Sequence, residues 1–285
     1  MSNEAITSQE YKDYVAKVAS ERKLVLRTEN LGITFGGLKA VQGFNIEIYE
    51  GELMGLIGPN GAGKTTVFNM LTGVYVPTEG VVELNGKKLN GLPTYKIVHS
   101  GIARTFQNIR LFKEMTVVEN VKIALCEKYK YKMGSALLRL PSYWKYEKKC
   151  HEEAMDLLKI FHLEDKADYI AANLPYGQQR KLEIARALAT DMKLLLLDEP
   201  AAGMNPTETA ELLQCIKIIR ERFGVAILLI EHDMSLVMNV CERIQVINFG
   251  MTIAAGLPSE IASNKEVIEA YLGKDDEEEE AESDE

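Results

Sequence analysis

Residues 58–66 read Gly-Pro-Asn-Gly-Ala-Gly-Lys-Thr-Thr, and no other stretch restricts the possible folds so tightly. The apolar run 53–57 precedes them, and a helical pattern with Phe68, Met70 and Leu71 follows. Strand, glycine-rich loop and helix in that order are the setting in which such a loop wraps phosphate. The glycines let the backbone curl until its N–H groups face inward. Lys64 is placed to reach the β- and γ-phosphates of a nucleotide, and the Thr65 hydroxyl to hold Mg2+. A helix starting near Lys64 adds its positive end to the same anion site. The run Gly58, Pro59, Asn60, Gly61, Ala62, Gly63, Lys64, Thr65 and Thr66 is therefore the expected nucleoside triphosphate-binding loop.

A second landmark supplies carboxylates. Four leucines at 194–197 lead into Asp198-Glu199-Pro200. An apolar strand ending in two acids puts them at the carboxyl edge of a sheet, beside the phosphate loop. Asp198 suits the Mg2+ shell, through a water. Glu199 suits polarising and orienting the attacking water, as general base.

Strand and helix patterns alternate around these landmarks. Strands are expected at 24–30, 44–49, 53–57 and 81–84, with turns at Gly36-Gly37 and Glu50-Gly51 and a hairpin turn at Asn85-Gly86. Residues 94–190 are helix-rich, with amphipathic patterns at 152–161 and 179–189. From Lys193 the alternation resumes: strand 194–197, helix 207–222, strand 225–230, a helix from Met234 and a strand at 244–248. This order predicts an α/β fold with a mostly parallel sheet, covering helices and the helical block inserted as a lobe.

The 285 residues admit one large domain or two small ones. Hydrophobic residues at 46% and charged residues at 26% describe an ordinary soluble globular protein. The net charge of −9 is concentrated at one end: residues 274–285 hold nine acids and one lysine, leaving 33 acids against 32 bases elsewhere. That tail is expected to be a disordered, solubilising appendage. The near-neutral remainder gives no support for a nucleic-acid partner. Cys126, Cys150, Cys215 and Cys241 have no metal-ligand spacing and read as reduced, mostly buried thiols of a cytosolic protein. Residues 1–22 are mixed polar, a short helical extension without an apolar signal segment. The apolar runs 194–197 and 225–230 fall far below the roughly 20 residues a membrane helix needs, so a membrane role must come through partners.

Three further landmarks make the pattern specific: Arg104-Thr105-Phe106-Gln107 after a strand-like 101–106, Leu174-Pro175-Tyr176-Gly177-Gln178-Gln179 before a helix, and Ile230-Glu231-His232-Asp233 ending an apolar strand. Their order and spacing around the phosphate loop and Asp198-Glu199 resemble the ATPase subunits of ABC transporters over about residues 24–273. The resemblance implies a P-loop NTPase (ABC ATPase) core with a mixed sheet, an antiparallel β subdomain and an inserted helical subdomain at about 108–190. Residues 1–23 are then an N-terminal extension and 274–285 the acidic tail. It implies that Gln107 senses Mg2+ and the γ-phosphate and links to the membrane subunit, that His232 is the switch histidine on the γ-phosphate, and that Phe35 stacks on adenine beside Val41. It implies that Tyr176, Gly177, Gln178 and Gln179 contact a partner's ATP and that Asn205 belongs to the D-loop. Three positions depart from the common family form. Pro175 stands where a serine is usual, with Tyr176 replacing the first glycine, and Asn205 stands where Asp is common.

These departures, with residues 35–41, 104–112, 176–180, 198–206 and 231–234, resemble the branched-chain amino acid importer branch. The insertion after Leu125, containing 137–146, resembles the larger of that importer's two ATPase subunits. The implied partners are a second ATPase subunit (the same chain or a sibling), two transmembrane permeases and an extracytoplasmic solute-binding protein, with the ATPase at the cytoplasmic face of the cell membrane. A urea- or amide-type importer and a soluble, non-transport ABC ATPase remain as alternatives.

Overall fold

In the computed structural model, which describes residues 7–126, 128 and 140–272, the strands sort into two sheets. The first begins with β1 (Leu24–Phe35) and β2 (Leu38–Tyr49), paired antiparallel around Gly36-Gly37, both of positive φ. β4 (Glu79–Leu84) joins β1, and β5 (Lys87–Lys88) closes the hairpin over Asn85-Gly86, giving an antiparallel order β2-β1-β4-β5. The strands expected at 24–30 and 44–49 run longer than the alternation suggested. Register shifts in β1 break the period of two that marked them.

The second sheet contains β3 (Leu53–Ile57), β6 (Ile102–Arg104), β7 (Leu194–Asp198), β8 (Ala226–Ile230), β9 (Arg243–Asn248) and β10 (Met251–Gly256). Its order is β10-β9-β3-β8-β7-β6, parallel throughout except for β10, which returns antiparallel on β9. β10 was not foreseen from the sequence. The strand-like run 101–106 shortens to β6, although Thr105 N still donates to Leu196 O at 3.0 Å.

The helices are α1 (Gln9–Glu21), α2 (Lys64–Leu71), α3 (Thr94–Ser100), α4 (Val117–Leu125), α5 (Pro141–Ile160), α6 (Tyr176–Leu188), α7 (Pro206–Phe223), α8 (Met234–Val240), α9 (Pro258–Ala262) and α10 (Lys265–Leu272). α4, α5 and α6 form a lobe between β6 and β7, packed through Val117, Val121, Leu158, Phe161 and Leu182. Of the insertion noted in the sequence, 129–139 lies outside the described residues, as do 127 and the acidic tail.

The continuous apolar runs of β7 and β8 follow from burial on both faces. Leu195 and Leu197 face the core shared with the helical lobe, while Leu194 and Leu196 face the core under the antiparallel sheet. Ile227 and Leu229 divide from Leu228 and Ile230 in the same way. Among the described residues no helix is long and apolar enough to cross a membrane.

A buried arginine joins the two sheets. Arg243 on β9 donates through Nη2 to Glu47 O on β2 at 2.7 Å and grips the Glu52 carboxylate with Nε and Nη2. The side chains are 3% and 0% exposed. Arg243 Nη1 also donates to the Tyr11 hydroxyl at 3.1 Å, which seats α1 on the body. Tyr14 and Arg22 hold the other side of α1 on Glu242 at 3.2 and 2.7 Å. Residues 9–21 are therefore a docked helix with named anchors. Replacing Arg243 by Met leaves the Glu52 carboxylate buried without its cation. We expect a loss of about 3–5 kcal/mol in the free energy of urea unfolding. A loss under about 1 kcal/mol would show that the bridge contributes little.

Candidate functional site

The phosphate loop sits at the carboxyl end of β3, with its floor made by β9 and the turn that follows. Gly58 has φ 154°, and a Cβ there would lie 2.0 Å from Ile247 O. Gly250 N donates to Ala62 O at 2.9 Å, and Gln42 N donates to Gly250 O at 2.8 Å. Pro59 and Ala62 are buried in that floor, while Asn60, Gly61 and Thr65 are exposed and Thr66 is half-buried. Gly63, with φ 108°, is the N-cap of α2 and has no side chain to cap it. The first N–H groups of α2 are thus available to an anion. Lys64 folds over the loop, its Nζ donating to Gly58 O at 2.5 Å and Pro59 O at 2.9 Å.

Three separated motifs converge on Glu199. Its Oε2 accepts from Gln107 Nε2 at 2.9 Å, and its Oε1 lies 2.7 Å from His232 Nε2. With its proton on Nε2, His232 donates to the Glu199 carboxylate across this contact. Glu199 adopts φ 48°, and its N–H donates to Ile230 O at 2.9 Å. Left-handed backbone at a glutamate costs about 1–3 kcal/mol and is typical of sites where direction outweighs comfort. Here it turns the carboxylate off the end of β7 toward the residues that end β6 and β8.

Asp198 is held differently. Its Oδ2 accepts from Arg104 Nη2 at 2.6 Å, with side chains 8% and 6% exposed. Arg104 Nη1 donates to Asn69 Oδ1 on α2 at 2.7 Å, and the guanidinium lies 5.4 Å from the Phe68 ring. Asp198 Oδ1 has no hydrogen bond from the described residues, which leaves one oxygen for a cation. That oxygen and the Thr65 hydroxyl are hard donors of the kind Mg2+ takes.

The signature segment opens α6. Pro175 is the N-cap, and no side chain caps the helix start. Gly177 is packed against the start of α7: a Cβ there would meet Glu208 Oε1 at 2.7 Å. Tyr176 is 45% exposed. Gln178 Oε1 accepts from Lys166 Nζ at 2.6 Å, and Gln179 Nε2 donates to Leu174 O at 2.8 Å, so both side chains are turned to local partners. Asn205 is the N-cap of α7. Its Oδ1 accepts from Glu208 N at 3.0 Å, and Glu208 Oε2 accepts from Asn205 N at 3.1 Å. Phe35 is exposed beside the Tyr75 ring, with centroids 5.2 Å apart. Val41, expected among the ATP-binding residues, is 1% exposed and packs beneath Gly63 in the floor of the loop.

Three features escaped the sequence reading. Arg104 was quoted without a role. Its pairing with Asp198 follows from β6–β7 register: Arg104 lies opposite Leu196, and Asp198 is two residues on along the same face. Register between distant parallel strands has no local sequence signal. Glu231, the neighbour of His232, is buried and its Oε1 accepts from Ala201 N at 2.8 Å. Burial pushes its pKa up, against the opposing hydrogen bonds from the Ala201 and His232 backbone. Arg180 and Glu183, inside α6, reach the loop around Gln107.

Residues 41–202 match the family described as ABC transporter, and residues 251–277 match the branched-chain amino acid ATP-binding cassette transporter family. The high-affinity branched-chain amino acid transport ATP-binding protein LivG of Escherichia coli K12 is 48% identical over 250 residues, covering 88% of this chain and 98% of LivG. The ADP conformation of MJ1267, an ATP-binding cassette of an ABC transporter, superimposes with TM-score 0.76 at 33% identity, covering 88% of this chain and 99% of that one. A dimeric post-hydrolysis state of the cassette MJ0796, bound to ADP and Pi, has TM-score 0.67 at 27% identity, covering 81% and 97%.

The contact between Gly58 and Ile247 makes a direct expectation. Gly58→Ala forces the loop or the end of β9 to move, because the clash is with backbone. We expect binding of a fluorescent ATP analogue to weaken at least about tenfold while the unfolding midpoint falls by the equivalent of about 1–3 kcal/mol. Unchanged affinity would show that the loop is not held in this shape.

Proposed function

The chain belongs to the ABC transporter ATP-binding family, and from that premise we propose that it is the ATP-hydrolysing subunit of an importer for branched-chain amino acids. The observation that carries the reading is the convergence of Gln107, Glu199 and His232 at the sheet edge that also bears the phosphate loop. The near full-length likeness to LivG supports the solute class.

In this reading the phosphate loop and Lys64 bind the triphosphate of ATP. The carbonyls that Lys64 now holds give way to phosphate oxygens, which carry full charge and bind an ammonium more strongly. Phe35 supports the adenine by stacking. Glu199 takes a proton from the attacking water as the water's oxygen bonds to the γ-phosphorus and the bond to the β,γ-bridging oxygen breaks, giving ADP and phosphate. Gln107 and His232 orient that carboxylate and the γ-phosphate. Thr65, Asp198 and Gln107 are the residues to hold Mg2+, which neutralises phosphate charge when bound.

The N-terminus of α6 has no capping side chain, and a helix start of that kind favours an anion. We infer that it serves the nucleotide of a second ATPase subunit, in a head-to-tail pair with two ATP molecules between them. The pair would work at the cytoplasmic face of the membrane on two permeases supplied by a solute-binding protein. The helical lobe, next to Gln107, would transmit closure on ATP and opening after hydrolysis.

Glu199→Gln keeps ATP affinity within about twofold and lowers turnover by about 10²–10⁴, measured by phosphate release. Normal turnover would remove Glu199 from the chemistry. Lys64→Ala weakens ATP binding by about 10–100-fold, as loss of a charged hydrogen-bond donor predicts, and unchanged affinity would contradict its role. The transport reading is tested by pull-down of Glu199→Gln with Mg-ATP from detergent-solubilised membranes. Two multi-span permeases and a smaller ATPase support it, and soluble partners alone would overturn it.

A further inference from the structure

The buried guanidinium of Arg180, just past the first turn of α6, makes two of its four hydrogen bonds outside that helix. Nη1 donates to Phe106 O at 2.6 Å and Nη2 to Gln107 O at 2.8 Å. Nη1 also donates to Glu183 Oε2 at 2.9 Å, and Nη2 to the Tyr176 hydroxyl at 3.2 Å. The second oxygen of Glu183 accepts from Arg110 N at 3.0 Å. Both side chains are closed to solvent, at 0% and 2% exposure. Arg110 in turn stacks over Phe106, 4.1 Å from the ring centre. The pair thus grips both flanks of Gln107 and the carbonyl of Gln107 itself.

We propose that Arg180 and Glu183 are positioning residues that make the Gln107 loop and the signature segment move as one piece. The inference rests on the roles given above to Gln107 and to the start of α6. A buried ion pair is a poor way to hold a helix, since apolar side chains of similar size do so as well or better. What apolar side chains lack is a grip on backbone carbonyls. Gln107 bonds Glu199 through its side chain and Arg180 through its carbonyl. A shift of Gln107 when nucleotide binds or leaves therefore pulls the first turn of α6, which carries Tyr176, Gly177, Gln178 and Gln179. The site on one face is linked to the surface that meets the other subunit's nucleotide.

The test uses the full chain with ATP and Mg2+, in the wild type and in Arg180→Met, Arg180→Lys and Glu183→Gln. Backbone hydrogen exchange is followed by mass spectrometry over 104–112 and 174–180, beside steady-state turnover. In the wild type ATP slows exchange in both segments. In Arg180→Met it slows exchange in 104–112 only, kcat falls about tenfold and KM for ATP stays within about twofold. Arg180→Lys recovers part of the coupled response, because one ammonium nitrogen replaces the two guanidinium nitrogens that hold the Phe106 and Gln107 carbonyls and lacks their fixed planar spacing. Glu183→Gln keeps an acceptor for Arg110 N and falls between, which guards against a misfolded Arg180→Met. Coupled protection and normal kcat in Arg180→Met, with only a lower unfolding midpoint, would make the pair a structural bolt and overturn the proposal. No ATP response in either segment of the wild type would overturn the reading of the nucleotide site itself, and the proposal with it.

Discussion

Parallel hydrogen bonding among β3, β8, β7 and β6 is the constraint from which the site follows. Parallel neighbours all end at the same edge. Gly58 leaves β3, His232 follows β8, Asp198 and Glu199 end β7, and Gln107 follows β6. β6, β7 and β8 follow one another in the chain, and β3 is separated from them by the outer strands β4 and β5. Each is reached by a crossover containing helices; the helical lobe and α7 cover one face of the sheet, and α2 with the antiparallel sheet covers the other. The leucines of β7 divide between two cores for this reason.

Local chemistry was readable from the chain and long-range register was not. The phosphate loop, the paired acids at 198–199 and the helix opening at Tyr176 each depend on a few adjacent residues, and the structure has elements where those patterns placed them. The resemblance to ABC ATPases supplied what patterns could not, namely that Gln107 and His232 belong to the same site. Neither route foresaw the partners of Arg104, Arg180 or Glu231. These depend on which strands lie side by side and on how α6 approaches the β6 exit.

Three arginines connect the layers, each in a different way. Arg243 ties the antiparallel sheet to β9 through Glu52 and Glu47 O. Arg104 ties α2 to β7 through Asn69 and Asp198. Arg180 ties α6 to the loop after β6. Apolar packing resists separation of the layers but is indifferent to direction. A planar guanidinium specifies angle and spacing at once. Layers that must keep their mutual orientation while a nucleotide enters and leaves benefit from contacts of this kind.

Asn205 illustrates how one residue can answer to two requirements. Its side chain caps α7, and Glu208, which completes the cap, also fills the space that Gly177 leaves open. Asparagine and aspartate serve almost equally well as helix caps. Exchange between them is therefore invisible to the folding of the chain and alters only the charge shown to whatever faces it. The position can change its charge at no cost to the helix it caps, because that helix accepts either residue.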